Sequence, residues 1–232
     1  LTVANRWAFV SRDGARDEHG VGVVIDVMRA FTVAAWAFHL GAEKIVLLDD
    51  LDEALALKAV DPGSLAFRDG PLTAGFELAN SPVRIERLDV RGRTIYQRTS
   101  AGTRAAVAAA HLEPLFCAAF ATAPATAAAL RRMQGDRCVF VISGDGGNAA
   151  EDVACARYIA ALVDEPTTSA DRFVEAARTS KAANDLSEVA RRGSAGVDPR
   201  DVTRWLECGR FDFVMRARRE NGLLTLRRAG LI

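Results

Sequence analysis

Asp26 is the only carboxylate in the apolar run Val21–Val27, and Arg29 follows close behind it. A carboxylate and a guanidinium at the carboxyl end of a buried strand stand where open α/β sheets collect ligands. The same two residues could instead form an ion pair that locks the start of the next helix. Farther along, Thr99-Ser100-Ala101-Gly102-Thr103 separates an apolar run from an alanine-rich one. Strand, small hydroxylic turn with a glycine, then helix is an arrangement that cradles a phosphate with backbone N–H groups, although the GxxxxGK[ST] spacing of a P-loop is missing. A third turn, Ser143-Gly144-Asp145-Gly146-Gly147-Asn148, leads to Glu151 and Asp152. Asp145, Glu151 and Asp152 at the end of a core strand make a candidate Mg²⁺ corner, since hard cations take carboxylate oxygens and water. Acids in a first helical turn also complement the helix dipole without any ligand. In Pro71–Pro82 (PLTAGFELANSP), Asn80 or Ser81 is set to cap a short helix opening at Pro82. Such a helix start suits an anion, and ordinary capping carries the same signature.

To bring these turns together the chain needs strands that end beside one another. Val21–Val27 is short, rich in Val and Ile, and reads as a strand buried on both faces. The alanine-rich helix after it closes at Gly41. Further strands are expected at Trp7–Val10 (an edge), Lys44–Leu48, Ser64–Arg68, Arg93–Gln97, Leu115–Phe120 and Arg137–Ile142. Between them the pattern predicts helices over Glu53–Val60, capped by Asp50 or Asp52 and stopped at Asp61-Pro62-Gly63, then over Arg104–His111, Ala123–Met133 and Ala149–Leu162. From Ser169 to Gly209 the pattern turns amphipathic and helical: Ala170–Thr179, Asn184–Arg192 and Arg200–Cys208. The alternating runs Phe211–Arg218 and Gly222–Arg228 meet at Glu220-Asn221-Gly222, a hairpin signal. One α/β domain over residues 1–232 is expected, with a core at 20–165 and a helical extension plus hairpin at 166–232.

Composition narrows the function classes. Thirty basic and thirty acidic residues cancel, which argues against nucleic-acid binding through a broadly basic surface and against a polybasic membrane patch. The four cysteines, Cys117, Cys138, Cys155 and Cys208, form no CxxC pair and sit in apolar or helical context. They read as reduced core residues of a cytoplasmic protein, not as disulfides or zinc ligands. No apolar stretch is long enough to span a bilayer, and no signal-peptide pattern opens the chain. The chain starts at Leu1 without an initiator Met, which reads as a cut or processed start. His19, His39 and His111 are scattered, and no GxSxG elbow is present for a Ser-His-Asp hydrolase.

Four motifs in order, VVIDVMRAFT, GFELANSP, RTSAGTRA and SGDGG…EDVACA, resemble the 2-phosphosulfolactate phosphatase (ComB-like) family from about Val21 to Leu162. FDFVMRARRENGLL near the C-terminus is similar to that family as well. The resemblance implies a three-layer α/β/α fold with a mostly parallel or mixed sheet. It also implies an Mg²⁺-dependent phosphatase that converts 2-phosphosulfolactate to sulfolactate, a step toward coenzyme M in some microbes. By position, Asp26, Arg29 and Thr32 match the first motif; Gly75, Phe76, Asn80, Ser81 and Pro82 the second; Thr99, Gly102 and Thr103 the third; Glu151 and Asp152 the fourth. The chain departs from the family pattern at Glu77, Ala79, Ser100 and Ala101, and has Ala66-Phe67-Arg68 where Gly-Glu-Arg is usual.

The chemistry so implied is hydrolysis of a small phosphorylated acid. Asp26, Glu151 and Asp152 would hold Mg²⁺, with Asp145 as a further acid. Arg29 would clamp a phosphate oxygen in a way Lys cannot reproduce. Thr99, Ser100, Gly102 and Thr103 would supply donors to the remaining oxygens. Arg68, or the Asn80–Ser81 cap, would take the substrate's second anionic group. Two alternatives stand beside it: a binding module for an anionic metabolite, degraded at Phe67 and Ala101, and a purely structural α/β subunit. The alanine-rich helices leave a homodimer open.

Overall fold

A computed structural model describes residues 6–133, 136–193 and 196–230. Seven of the strands fall where apolar runs predict them: β1 Trp7–Ser11, β2 Val21–Ile25, β3 Lys44–Leu48, β4 Leu65–Arg68, β5 Thr94–Arg98, β6 Leu115–Ala118 and β7 Cys138–Ile142. The helices between and after them are α1 Ala30–His39, α2 Leu51–Ala59, α3 Gly102–Ala108, α4 Ala123–Arg132, α5 Ala150–Asp164, α6 Asp171–Arg178, α7 Lys181–Arg191 and α8 Asp201–Leu206. Asp50 rather than Asp52 caps α2, its carboxylate accepting from Glu53 N at 2.8 Å. Gly41 closes α1 with φ +99°, a conformation that costs glycine nothing. In place of a helix opening at Pro82 there is one 3₁₀ turn, Arg84–Arg87, whose first free N–H is taken by the Ser81 hydroxyl.

Among the described residues the nine strands form one mixed sheet, in the order β1-β7-β2-β6-β8-β9-β3-β5-β4. β8 (Val214–Glu220) and β9 (Leu223–Ala229) are the hairpin expected from Asn221-Gly222, and both turn residues have positive φ, +52° and +84°, as a type I′ turn demands. The hairpin lies in the interior of the sheet. It pairs antiparallel with β6 on one side and β3 on the other, joining two parallel sets, β1-β7-β2-β6 and β3-β5-β4.

Side-chain alternation divides the interior into layers. Val24, Cys117, Val139 and Val141 face α1 and α3, whereas Val23, Phe116 and Phe140 face α4 and α5. On the other parallel set, Ile45, Phe67 and Ile95 share the α1 side, and Val46, Ala66 and Tyr96 face α2. α1 is therefore packed against both strand sets and is buried from Ala30 to Phe38. A helix that is apolar on all sides is stable only in such a position. This rigid element carries Arg29 and the backbone N–H of Ala30 into the space beyond the carboxyl ends of β2, β5 and β7.

Candidate active site

Asp26 is the first residue past β2, and the turn from strand to helix buries it to 5 % exposure. Its Oδ1 accepts the N–H of Ala30 at 2.9 Å, so the carboxylate caps α1. No ion pair to Arg29 forms. Asp152, at the start of α5, comes to the same place. Its Oδ1 accepts Val27 N at 2.9 Å, and its Oδ2 accepts the Ser143 hydroxyl at 3.1 Å and Gly144 N at 3.2 Å. Ser143 stands between the two carboxylates and lowers the pKa of Asp26 by hydrogen bonding. Burial outweighs this and, with the charges of Glu151 and Asp69, pushes Asp26 up to about 6. Asp152 is also raised, first by burial and then by Asp26 and Glu151. Two buried acids so close hold a proton between them.

Glu151 is nearly buried and takes no hydrogen bond or ion pair among the described residues. Asp145 is exposed, at φ +46°, its charge acts on Lys181, and it lines one cleft with Glu151 and Lys181. Among the described residues no three acidic, histidine or cysteine side chains converge as a ready-made metal cage. Mg²⁺, however, binds through one or two carboxylates, water and substrate phosphate. Asp26 and Glu151 act on each other electrostatically, with Arg29 in reach of Asp26 and Lys181 lining the same cleft as Glu151.

Gly102 opens α3 directly against Asp26. A Cβ there would lie 2.4 Å from Asp26 Oδ2 and 2.7 Å from Ala30 Cβ. Ala101 and Gly102 have backbone N–H groups with no acceptor among the described residues. Arg29 uses only Nη1, donating to Ala79 O at 3.0 Å and Gly196 O at 2.9 Å. Its Nε and Nη2 have no partner among the described residues. Burial lowers the Arg29 pKa, while Asp69, Asp201 and Asp26 hold it up. A cleft of about 320 Å³ opens between the two turns, lined by Ser100 and Ala101 on one side and Ser143 to Gly147 on the other.

Other residues expected to touch a ligand make hydrogen bonds within the protein. Thr99 and Thr103 close on each other: Thr103 Oγ1 accepts Thr99 N at 2.8 Å, and Thr99 Oγ1 accepts Thr103 N at 3.0 Å. Their hydroxyls build the turn instead of lining it. Thr32 donates to Val27 O at 2.8 Å and is fully buried. Ser81 donates to Asp201 Oδ1 at 2.7 Å, and Asn80 Oδ1 accepts Gln97 Nε2 at 3.0 Å. Ser100 binds Asp69 through both its N–H and its hydroxyl. Arg68 is tied to Asp69 O and Thr73 Oγ1, both at 2.9 Å.

Three participants had no sequence signal strong enough to mark them. Ser143 carried only its place in a glycine turn. Asp69, beside Ala66-Phe67-Arg68, offered an acid that could partly substitute for the missing Glu, but nothing in the sequence tied it to Ser100. Asp201 looked like one more acid in a first helical turn, yet it is fully buried and also accepts Val83 N and Asp198 N, at 3.1 and 2.8 Å. It fastens the start of α8 to the loop that supplies Ala79 O to Arg29.

Residues 10–198, a span containing every one of the expected site residues, match the profile described as 2-phosphosulpholactate phosphatase. A probable 2-phosphosulfolactate phosphatase of Bacillus subtilis (strain 168) is 30% identical over 211 residues, covering 90% of this chain and 91% of that protein. Proteins of the same name from Parasynechococcus marenigrum (strain WH8102) and Synechococcus sp. (strain WH7803) are 36% and 35% identical. The first alignment covers 62% of this chain and 61% of the relative, the second 71% and 69%.

Proposed function

The chain belongs to the 2-phosphosulpholactate phosphatase family and is a phosphoric monoester hydrolase, and from that premise we propose that it cleaves 2-phosphosulfolactate, or a 2-phospho-acid like it, to the hydroxy acid and phosphate with Mg²⁺ bound. The observation that carries this is the buried Asp26–Asp152 pair, joined through Ser143, with Gly102 closed against Asp26 and Arg29 in electrostatic reach of it.

The phosphoryl group would sit between the Ser100–Gly102 and Ser143–Gly147 turns. The Ala101 and Gly102 N–H groups and the Nε and Nη2 of Arg29 would meet its oxygens, in place before charge develops. Arg29 is anchored through Nη1, so the rest of its fork is preorganised. Asp26 and Glu151 would hold Mg²⁺, which when bound neutralises charge on the phosphate and makes a bound water more acidic. Asp26, with a pKa near neutrality, takes the proton of the attacking water as its oxygen bonds to phosphorus. The ester P–O bond breaks, and the same carboxyl returns the proton to the departing alkoxide oxygen. Asp152 holds Asp26 and the Ser143 turn in register through its three accepted hydrogen bonds.

Phosphate release from a panel of phosphomonoesters, 2-phosphosulfolactate and phospholactate included, tests this with Mg²⁺ and with chelator. Mg²⁺-dependent release that vanishes in Asp26→Asn is expected. Release unaffected by chelator removes the cation from the scheme, and release unaffected by Asp26→Asn removes Asp26.

A further inference from the structure

We propose that Arg12, Arg16 and Arg104 form a cationic subsite that holds a non-reacting acid group of the substrate, a carboxylate or a sulfonate. This rests on the phosphatase function proposed above. The three arginines come from separate places: Arg12 just past β1, Arg16 in the 3₁₀ turn after it, and Arg104 in the first turn of α3. They line one cleft of about 290 Å³ together with Asp49, Val107 and Ala108. Arg12 also lines the cleft between the Ser100 and Ser143 turns, so the two spaces meet at its side chain. Arg104 lies on the same helical turn as Gly102, whose backbone abuts Asp26.

In a chain whose charges cancel overall, three guanidinium groups against one lining carboxylate are a local excess of positive charge. Arg12 is partly engaged, its Nε donating to Asp13 at 3.3 Å. Arg16 and Arg104 make no ion pair among the described residues. Asp49, the one carboxylate on the lining, pairs with neither. Guanidinium forks match the paired oxygens of carboxylate and sulfonate groups. The places expected from the sequence to receive such a group are engaged elsewhere, Arg68 by Asp69 O and Thr73 and the Asn80–Ser81 pair by Gln97 and Asp201.

The test combines kinetics and calorimetry on Arg16→Ala and Arg104→Ala, both at exposed positions. Kinetics compare an acid-tailed ester, 2-phosphosulfolactate, with the phosphate ester of an uncharged secondary alcohol of equal length. Calorimetry measures binding of sulfolactate, which lacks the phosphate. Losing a charge-assisted contact raises KM for the acid-tailed ester about 10- to 100-fold, with kcat changed less than about 3-fold. The penalty on the uncharged ester is expected to be at least ten-fold smaller, and sulfolactate binding weakens in step with KM. Equal penalties on both esters, or unchanged KM, overturn the subsite while leaving the phosphatase intact. If the wild-type protein cleaves no ester, the phosphatase proposal falls by itself. Calorimetry then decides the subsite: arginine-dependent sulfolactate binding upholds it, and binding that is absent or indifferent to both substitutions overturns it.

Discussion

Gly102→Ala is the smallest change that separates the proposed site from its surroundings, because one methyl group is aimed at Asp26. The added carbon would stand 2.4 Å from Asp26 Oδ2, 2.7 Å from Ala30 Cβ and 3.0 Å from Asp26 Cβ. Ordinary contact needs about 1 Å more, and none of these atoms can withdraw freely. Asp26 Oδ1 is fastened to Ala30 N, Ser143 and Asp152 adjoin the carboxylate, and Ala30 opens the stretch of α1 that is buried through Phe38. On helix propensity alone alanine would gain about 1 kcal/mol over glycine. Overpacking costs about 1–3 kcal/mol, and breaking the Asp26–Ala30 bond adds about 1.5–3 kcal/mol for a charged acceptor. The balance is destabilising by about 1.5–5 kcal/mol, which lowers Tm by several degrees or more in a domain of this size.

Activity should suffer more than stability. Moving a catalytic carboxylate by about 1 Å costs on the order of 10²-fold in rate. Steady-state phosphate release and a thermal melt on the same preparation check both, with Gly63→Ala as the control. A Cβ at Gly63 meets nothing within 4 Å, and its φ lies outside the left-handed region, so that variant should match wild type in both assays. A Gly102→Ala protein with wild-type Tm and kcat/KM would refute the close contact. One with a lowered Tm and undiminished kcat/KM would show that Gly102 packs against a carboxylate that takes no part in the chemistry.

Asp26→Asn should lower kcat about 10³-fold yet stabilise the protein in chelator at pH 7.5. Raising a folded-state pKa from 3.8 to about 6 gives stability that is fully present below about pH 4 and lost as pH rises through about 6, a difference on the order of 3 kcal/mol. The variant's advantage in melts should therefore shrink to nothing by pH 4, and a gain constant across pH would contradict the burial argument. Arg29→Lys should lose about 10²-fold in kcat/KM, because one ammonium cannot hold Ala79 O and Gly196 O and also grip a phosphate; retention of half the activity would remove the bidentate role. Asp201→Ala strands the Ser81 hydroxyl and two backbone N–H groups in the interior and should cost about 3 kcal/mol or more. Urea titration measures this, and a midpoint equal to wild type would mean that the latch between α8 and the Asn80 loop contributes nothing.

The elements of this chain were legible wherever local chemistry decides conformation. Lys44–Leu48 is a strand at its predicted bounds, and Asn221-Gly222 is the turn it looked like. What no local pattern contains is the partner of a strand edge. β8 and β9 alternate like any surface hairpin, and only the two unpaired edges of β6 and β3, far away in sequence, place them in the middle of the sheet. The site divides in the same way. Asp26 stood out as the one carboxylate in an apolar run, a position that is costly without a purpose, whereas Asp152 carried only the signature of an acid in a first helical turn after a glycine turn. The direction of a hydroxyl is not encoded in that manner. Thr99 and Thr103 have the spacing of a phosphate cradle and equally that of a turn closing on itself, and the second geometry satisfies two buried N–H groups at once. Since an unsatisfied buried donor costs more than a missing ligand contact, the turn's own hydrogen bonds take the hydroxyls first. The ligand is left with groups that the fold cannot satisfy internally: the open N–H pair at Ala101 and Gly102, the outer fork of Arg29, and Glu151.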